Sequence, residues 1–332
     1  MFPKDRLSFN ASDNEKIRQN QSTFLEFYFQ GFLMPIQQQI LLFWAVTVIY
    51  IFILSGNLLM VLLICTSPQL QTPMHIFLGN FSFTEICYTS VIIPQALAHM
   101  ISERKSISYA GCLLQLYLIS SFGCTECLLL SSMAYDRFLA ICYPLLYSTL
   151  MRNCVCIYIS LLCWVIGLLG SLVPLLVVWK LVFCGPNVIN HFFCDSLKLF
   201  ILSCSDTSSS ELSIFFFAST ILLGSLVLIA SSYTAVIVAI LNISSNLAKK
   251  KAFSTCASHL MVVSLFYGTL IFMYIASPTM NNSEINKGIS LLYTVITPML
   301  NPIIYSLRNN NIHFILGTKL KKAKSFFLFV QH

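Results

Sequence analysis

The chain has 332 residues, 57% of them hydrophobic and only 9% charged, with a formal net charge of +7. Water-soluble domains carry about a quarter charged residues, so this composition cannot cover a water-facing surface and excludes a soluble globular protein. A mean hydropathy of +0.80 makes lipid the medium for most of the chain.

Hydrocarbon offers the backbone no hydrogen-bond partner, so only helices and closed barrels can span it. Long unbroken apolar runs select helices over barrel strands. Residues 1–38 are polar and charged, with no short apolar core of a cleavable signal peptide, so the first span is expected to act as the targeting signal. Seven runs of spanning length follow, at about 39–65, 75–99, 110–135, 156–179, 211–242, 253–277 and 287–306. The third ends in the charged pair Asp136-Arg137, and the loop at about 180–210 is rich in Cys, Ser and Asp. Residues 307–332 form a tail whose first part, from Arg308, reads as a short amphipathic helix lying on the membrane. The predicted fold class is an all-α integral membrane protein, a bundle of seven transmembrane helices, with no internal repeat of the transporter kind.

Charge sets the orientation. With the N-terminus outside, the inner segments hold ten basic residues against the single acidic Asp136, while the outer segments balance at nine against nine. That asymmetry satisfies the positive-inside rule. The basic residues lie between apolar runs rather than in a solvent-facing stripe, so no nucleic-acid partner is expected. Asn10-Ala-Ser and Asn20-Gln-Ser then fall outside as glycosylation acceptors, and Asn281-Asn-Ser is a third outer candidate. Asn80-Phe-Ser and Asn242-Ile-Ser lie in or under the membrane.

Of thirteen cysteines, nine lie within spans, beside them or on the reducing inner side. Cys112, Cys184, Cys194 and Cys204 are external, where free thiols do not persist. Four cysteines allow three pairings, and spacing does not choose among them. A bridge from Cys112 would pin the long outer loop across the bundle. Zinc-ligand spacings with paired His are missing outside the membrane.

Five motifs then occur in order: Pro73-Met-His-Ile-Phe-Leu, Met133-Ala-Tyr-Asp-Arg-Phe-Leu-Ala-Ile-Cys-Tyr-Pro144, Ser232-Tyr233, Lys251-Ala-Phe-Ser-Thr-Cys-Ala-Ser-His259 and Pro298-Met-Leu-Asn-Pro302-Ile-Ile-Tyr305. On these residues the chain resembles the vertebrate olfactory receptors, a branch of the rhodopsin-like G-protein-coupled receptors, from about residue 24 to 318. The resemblance implies a Cys112–Cys194 bridge, which leaves Cys184 to Cys204. It implies that Arg137 is restrained by Asp136 at rest and meets the G protein once the helices part, with Tyr233 and Tyr305 swinging in to hold it. Phe138 stands where the family more often has Tyr, which removes a hydroxyl and leaves the arginine intact. The start of span six, with Lys251, is implied to move outward and contact the G protein. Plasma-membrane placement, in sensory cilia, and coupling to a stimulatory, olfactory-type G protein that raises cyclic AMP follow from the same likeness.

Each motif also has a plainer physical reading. Asp136 and Arg137 can be interfacial charges snorkelling to water. Lys249, Lys250 and Lys251 obey the positive-inside rule and suit anionic lipid. Pro302 removes one backbone hydrogen bond and kinks its helix, and a kink lined by Asn301 is also a natural bistable element. Glu85 and Glu126, costly in lipid, must point inward. They are either protonated and hydrogen-bonded, or part of a cluster with Asn57 and Asn301 that holds a sodium ion or a proton. Many family members have Asp at the Glu85 position.

Ser120, Gly123, Cys124 and Cys127 recur on one face of span three, and Tyr267, Leu270, Ile271 and Tyr274 on one face of span six. Such faces arise from plain helix packing, but the resemblance places an odorant cavity among spans three, five, six and seven, adding Phe217 and Thr294. The ligand expected is small, volatile and largely apolar. Ile119 occupies the place of the ammonium-binding Asp of amine receptors, and span seven is read as lacking a buried lysine for a retinal Schiff base. No cofactor is expected, and no nucleophile–base or metal constellation of an enzyme is visible, with His259 and His313 lacking matching partners. The alternatives are a receptor of the same class for a non-odorant small molecule outside the nose, or a membrane transporter.

Overall fold

The computed structural model of the protein describes residues 26–102, 104–184, 187–279, 283–308, 312 and 314–319, with the side chains of 251, 255, 273–279, 283 and 306–308 outside that description. Asn10, Asn20 and Asn281 lie outside the described residues, as does His313.

Among the described residues seven helices are long and apolar enough to cross a membrane: α1 (Ile36–Thr66), α2 (Pro73–Ile101), α3 (Tyr109–Cys142), α4 (Asn153–Trp179), α5 (Ser208–Leu241), α6 (Asn246–Thr279) and α7 (Ser283–Arg308). All exceed the roughly 20 residues needed to cross about 30 Å of hydrocarbon. They extend several residues past the expected ends, because helices continue into the interfacial region where hydropathy falls. Pro73 opens α2 with its φ already set for a helix. Pro144 ends α3: the residue before a proline is pushed out of the helical region, and Tyr143 sits at φ −131°. A short helix, Pro144–Leu150, then begins at that proline. Inside α4 Pro174 has no N–H to give the carbonyl of Gly170, and the helix breaks there into Asn153–Gly170 and Leu172–Trp179.

α3 is the central helix, packed against α2, α4 and α5, while α7 closes the ring between α1 and α6. The α3–α4 approach depends on Gly167, where a Cβ would strike the Thr125 hydroxyl and lie 2.8 Å from the Ser121 carbonyl. The inner core holds Met60, Phe77, Phe81, Leu130, Met133 and Phe266, all essentially inaccessible. The outward faces are apolar too: Phe215, Leu228 and Trp44 are each at least 57% exposed. Only lipid tolerates that surface.

The outer face carries a feature hydropathy did not reveal. Strand β1 (Glu26–Phe29) lies between β2 (Ser106–Ser108), antiparallel to it, and β3 (Val188–Ile189), parallel to it. Alternation turns Phe27 and Phe29 inward, 1% and 3% exposed, onto Cys112, Leu116, Ile189 and Phe200. Cys112 is bonded to Cys194 and Cys184 to Cys204. The N-terminal segment, the first outer loop and the long outer loop thus form one cap. At the inner end residues 314–319 are helical, and Lys319 Nζ donates to Thr66 Oγ1 at 2.5 Å, tying this segment to the end of α1.

Candidate functional site

Three sites line the axis of the bundle. At the inner end Asp136 is completely buried, and its Oδ2 accepts from Arg137 Nη2 at 2.7 Å and Nε at 3.1 Å. Its other oxygen accepts from Tyr147 Oη at 2.7 Å, a contact supplied by the Pro144–Leu150 helix. The Arg137 side chain is only 13% exposed, with Nε and Nη2 both turned to Asp136. Among the described residues no hydrogen bond joins Tyr233 of α5 to Arg137. The Tyr233 hydroxyl meets Nδ1 of His259 in α6 at 2.7 Å, with the two rings stacked. This corrects the reading that left His259 without a partner, since sequence spacing could not reveal a pairing between helices. Tyr305 is buried close to the same arginine. Lys251 lies in the first turns of α6, its side chain outside the described residues.

In the middle of the bundle Pro302 cannot donate to the carbonyl of Pro298, which is left without its helical partner. Asn57 of α1 supplies the missing bond, with Nδ2 at 3.3 Å from that carbonyl and 3.1 Å from that of Ile53. Asn301 Nδ2 donates to Glu85 Oε1. Glu85, Glu126, Asn57 and Asn301 are all at most 2% exposed. Among the described residues Glu85 Oε2, Glu126 Oε1, Asn57 Oδ1, Asn301 Oδ1 and Thr297 Oγ1 have no protein partner. Buried acceptors without donors are costly, so a donor or a cation is required there.

Level with Glu126, Cys127 lies beside Tyr267, whose hydroxyl donates to Ser225 Oγ at 2.7 Å and so joins α6 to α5 next to α3. A Cβ at Gly123 would meet nothing within 4 Å, which marks open space one turn above Cys127. Thr294 is 1% exposed and borders Tyr88 of α2, with Tyr293 beside it. Ser120 is half-buried on the same side of α3 as Gly123, and Leu270 packs on the inner core. Other expected members point elsewhere. Cys124 lies beside Cys163 of α4, and the ring of Phe217 sits 3.3 Å from the position of a Gly170 Cβ, so both face α4. Ile271 is 40% exposed, and the side chain of Tyr274 lies outside the described residues.

The cap closes the outer end through His191, 2% exposed, stacked on Phe192 and edge-on to Phe193. Its Nε2 lies 3.3 Å from Ser290 Oγ of α7. Burial, and then the charges of Lys198 and Lys287, hold this imidazole down to about 3. The unfolded value is near 6.5, so the cap keeps its full stability above that pH and loses it as pH falls from 6.5 towards 3. At pH 5.5 the loss is about 1.4 kcal/mol. Melting temperature in detergent is therefore expected to drop between pH 7.5 and 5.5, and less so in His191→Gln; equal slopes would contradict the burial argument.

A sequence profile described as olfactory receptor matches residues 46–322. Human olfactory receptor 11H6 is 47% identical over 287 residues, covering 86% of this chain and 87% of that protein. Human olfactory receptor 6N1 is 44% identical, with 91% and 97% covered. Mouse olfactory receptor 5G9 is 41% identical, with 93% and 98% covered.

The chain belongs to the olfactory receptor family.

The fold agrees: the crystal structure of squid rhodopsin superposes with a TM-score of 0.71 over 87% of each chain at 16% identity. This olfactory receptor is a multi-pass protein of the plasma membrane and, as its family indicates, an odorant receptor. Several residues of the receptor's sites escaped sequence reading. Tyr147 lies eleven residues from the carboxylate it holds, outside any helical repeat. Tyr88 sits one turn beyond Glu85 and Tyr293 one turn before Thr297, a spacing that could have flagged both. The receptor also overturns the expectation that span seven lacks a buried lysine. Lys287, in the first turn of α7, is fully buried because the N-terminal segment folds over it.

Proposed function

We propose that a small, largely apolar volatile molecule binds in the outer half of the bundle and that its binding frees Arg137 for a stimulatory, olfactory-type G protein, raising cyclic AMP through adenylyl cyclase. The observation that carries the ligand site is the open space at Gly123 beside the Cys127–Tyr267–Ser225 contact, which links α3, α6 and α5 in one place. Thr294 adds a polar edge from α7, while Ser120 and Leu270 extend the wall. Cys124 and Phe217 act from behind, by setting how α3 and α5 pack on α4. A ligand shifts the balance of states only by binding one of them better. Displacing Tyr267 would pull on both α5 and α6, the two helices whose inner ends are joined by Tyr233 and His259.

The unpartnered oxygens of Glu85, Glu126, Asn301, Asn57 and Thr297 suit a sodium ion or a shared proton, which would hold α2, α3 and α7 in the resting arrangement. The reading as a receptor rather than an enzyme rests on the family.

The test is cyclic AMP in cells expressing the receptor, exposed to medium-chain aliphatic alcohols, aldehydes and esters, with and without sodium in the medium. Gly123→Leu, which fills the open space, is expected to raise the half-effective concentration at least about tenfold, or 1.4 kcal/mol, with surface expression retained. Unchanged potency in Gly123→Leu would remove the proposed pocket, and identical responses with choline in place of sodium would remove the cation.

A further inference from the structure

The N-terminal segment is bound twice, in two different ways. Along β1 it bonds to the outer loops: Tyr28 N to Asn187 O at 2.8 Å, Phe29 N to Lys105 O at 2.7 Å and Gln30 N to Ile189 O at 3.0 Å. Gly31, at φ +62°, then turns the chain in a conformation that other residues rarely adopt. At and beyond the turn the segment also gains polar partners on α7. Lys287 Nζ donates to Gly31 O at 2.5 Å and to Glu284 Oε1 at 2.7 Å, and Glu284 Oε2 accepts from Leu33 N at 3.2 Å. Phe32 stacks on Phe192 of the long loop, 5.6 Å between centroids and 18° between planes.

The loop contacts cannot hold the cap to the bundle at this edge, because loops and strand would move together. The seam between cap and α7 is crossed by the Lys287–Glu284 clamp and by the His191–Ser290 contact. One turn below Ser290 lies Thr294, at the edge of the proposed ligand space. A lysine with no exposed surface whose charge is shared by a carboxylate and a carbonyl is a strong tie, since water cannot replace either partner without opening the seam.

We infer that residues 26–33 are a latch over the ligand site, with Lys287 and Glu284 as its catch, and that a ligand passes between the outside and the bundle by lifting this strap from α7. The inference rests on the reading that the ligand lies in the outer half of the bundle. It adds an entry route from the outer solution, where passage between helices from the lipid is the rival.

Ser290, 7% exposed beneath His191, reports on the seam. In the full-length receptor on intact cells, Ser290→Cys labelled with a membrane-impermeant maleimide is expected to react slowly. Adding Lys287→Met, which removes both hydrogen bonds of the ammonium, is expected to speed labelling about tenfold or more. In receptors retaining Ser290, Lys287→Met should also hasten the onset of the cyclic AMP response to the same alcohols, aldehydes and esters. Glu284→Gln, which keeps the shape and drops the charge, should give an intermediate effect in both measurements and serves if Lys287→Met fails to reach the surface. Unchanged labelling in either variant that reaches the surface would overturn the catch. Faster labelling with an unchanged onset and potency would overturn the latch as an entry route. Faster labelling in a receptor that answers none of the odorants would support the catch and count against the ligand reading instead.

Discussion

Arg137→Ala is expected to abolish the odorant-evoked rise in cyclic AMP while the receptor still reaches the cell surface. The guanidinium is held by two bonds to Asp136 that keep it 13% exposed, ready to be released rather than already offered to solvent. The companion substitution should act in the opposite sense. Asp136→Asn keeps the shape and removes the charge, so the arginine loses the partner that restrains it. Breaking a buried, hydrogen-bonded pair typically costs about 3–5 kcal/mol, and here that energy is taken from the resting arrangement. Basal cyclic AMP should rise several-fold without odorant. Tyr147→Phe, which removes only one hydroxyl bond to Asp136, should give a smaller rise in the same direction. A normal odorant response in Arg137→Ala would separate the arginine from coupling altogether.

Cys194→Ser is the second large effect. Its bridge to Cys112 spans 82 residues, and closing a loop of that length restricts the unfolded chain by about 4.5 kcal/mol in the chain-entropy picture. The Cys184–Cys204 bridge spans only 20 residues and stabilises by about 3 kcal/mol on the same basis. The larger bridge also fixes a buried junction: the backbone N–H of Cys194 donates to Gln115 Oε1 at 2.9 Å, while Gln115 Nε2 donates to Gln95 and the Val91 carbonyl. Losing it detaches the long loop from α3, and with it β3 and the strap. Surface staining and the melting temperature are expected to fall much further for Cys194→Ser than for Cys184→Ser. Equal losses would mean that the cap is not organised from α3.

The seven spans were legible because lipid imposes one rule on every residue it touches, and runs of about 20 apolar residues have no competing explanation in a chain with 9% charge. Pro73 and Pro144, quoted in the sequence only as motif residues, prove to stand at helix boundaries. The inward position of Glu85 and Glu126 followed from the expense of charge in hydrocarbon, whereas the pairing of Asp136 with Arg137 came from the family resemblance. The cap was not legible. Its strands have four, three and two residues, too short for a periodic signal, and β1 finds partners about 80 and 160 residues away. The burial of Lys287 depends on that same fold-over, so no property of α7 alone could reveal it.

The ligand face was legible in part, and the reason lies in α3. Ser120, Gly123, Cys124 and Cys127 share a helical stripe, but a central helix has neighbours on every side. Spacing says that residues lie together without saying which neighbour they meet. Hence Gly123 borders open space and Cys127 meets Tyr267, while Cys124, adjacent to Gly123 in sequence, meets α4. Phe217 on α5 divides from Ser225 in the same way.

The most direct test uses the purified full-length receptor in lipid nanodiscs with purified stimulatory, olfactory-type G protein, following nucleotide exchange with and without an odorant that is active in cells. The account predicts slow exchange from the receptor alone, accelerated by the odorant, and none beyond background in Arg137→Ala. Exchange that is indifferent to the odorant, in a receptor whose melting temperature shows that the odorant is bound, would contradict it.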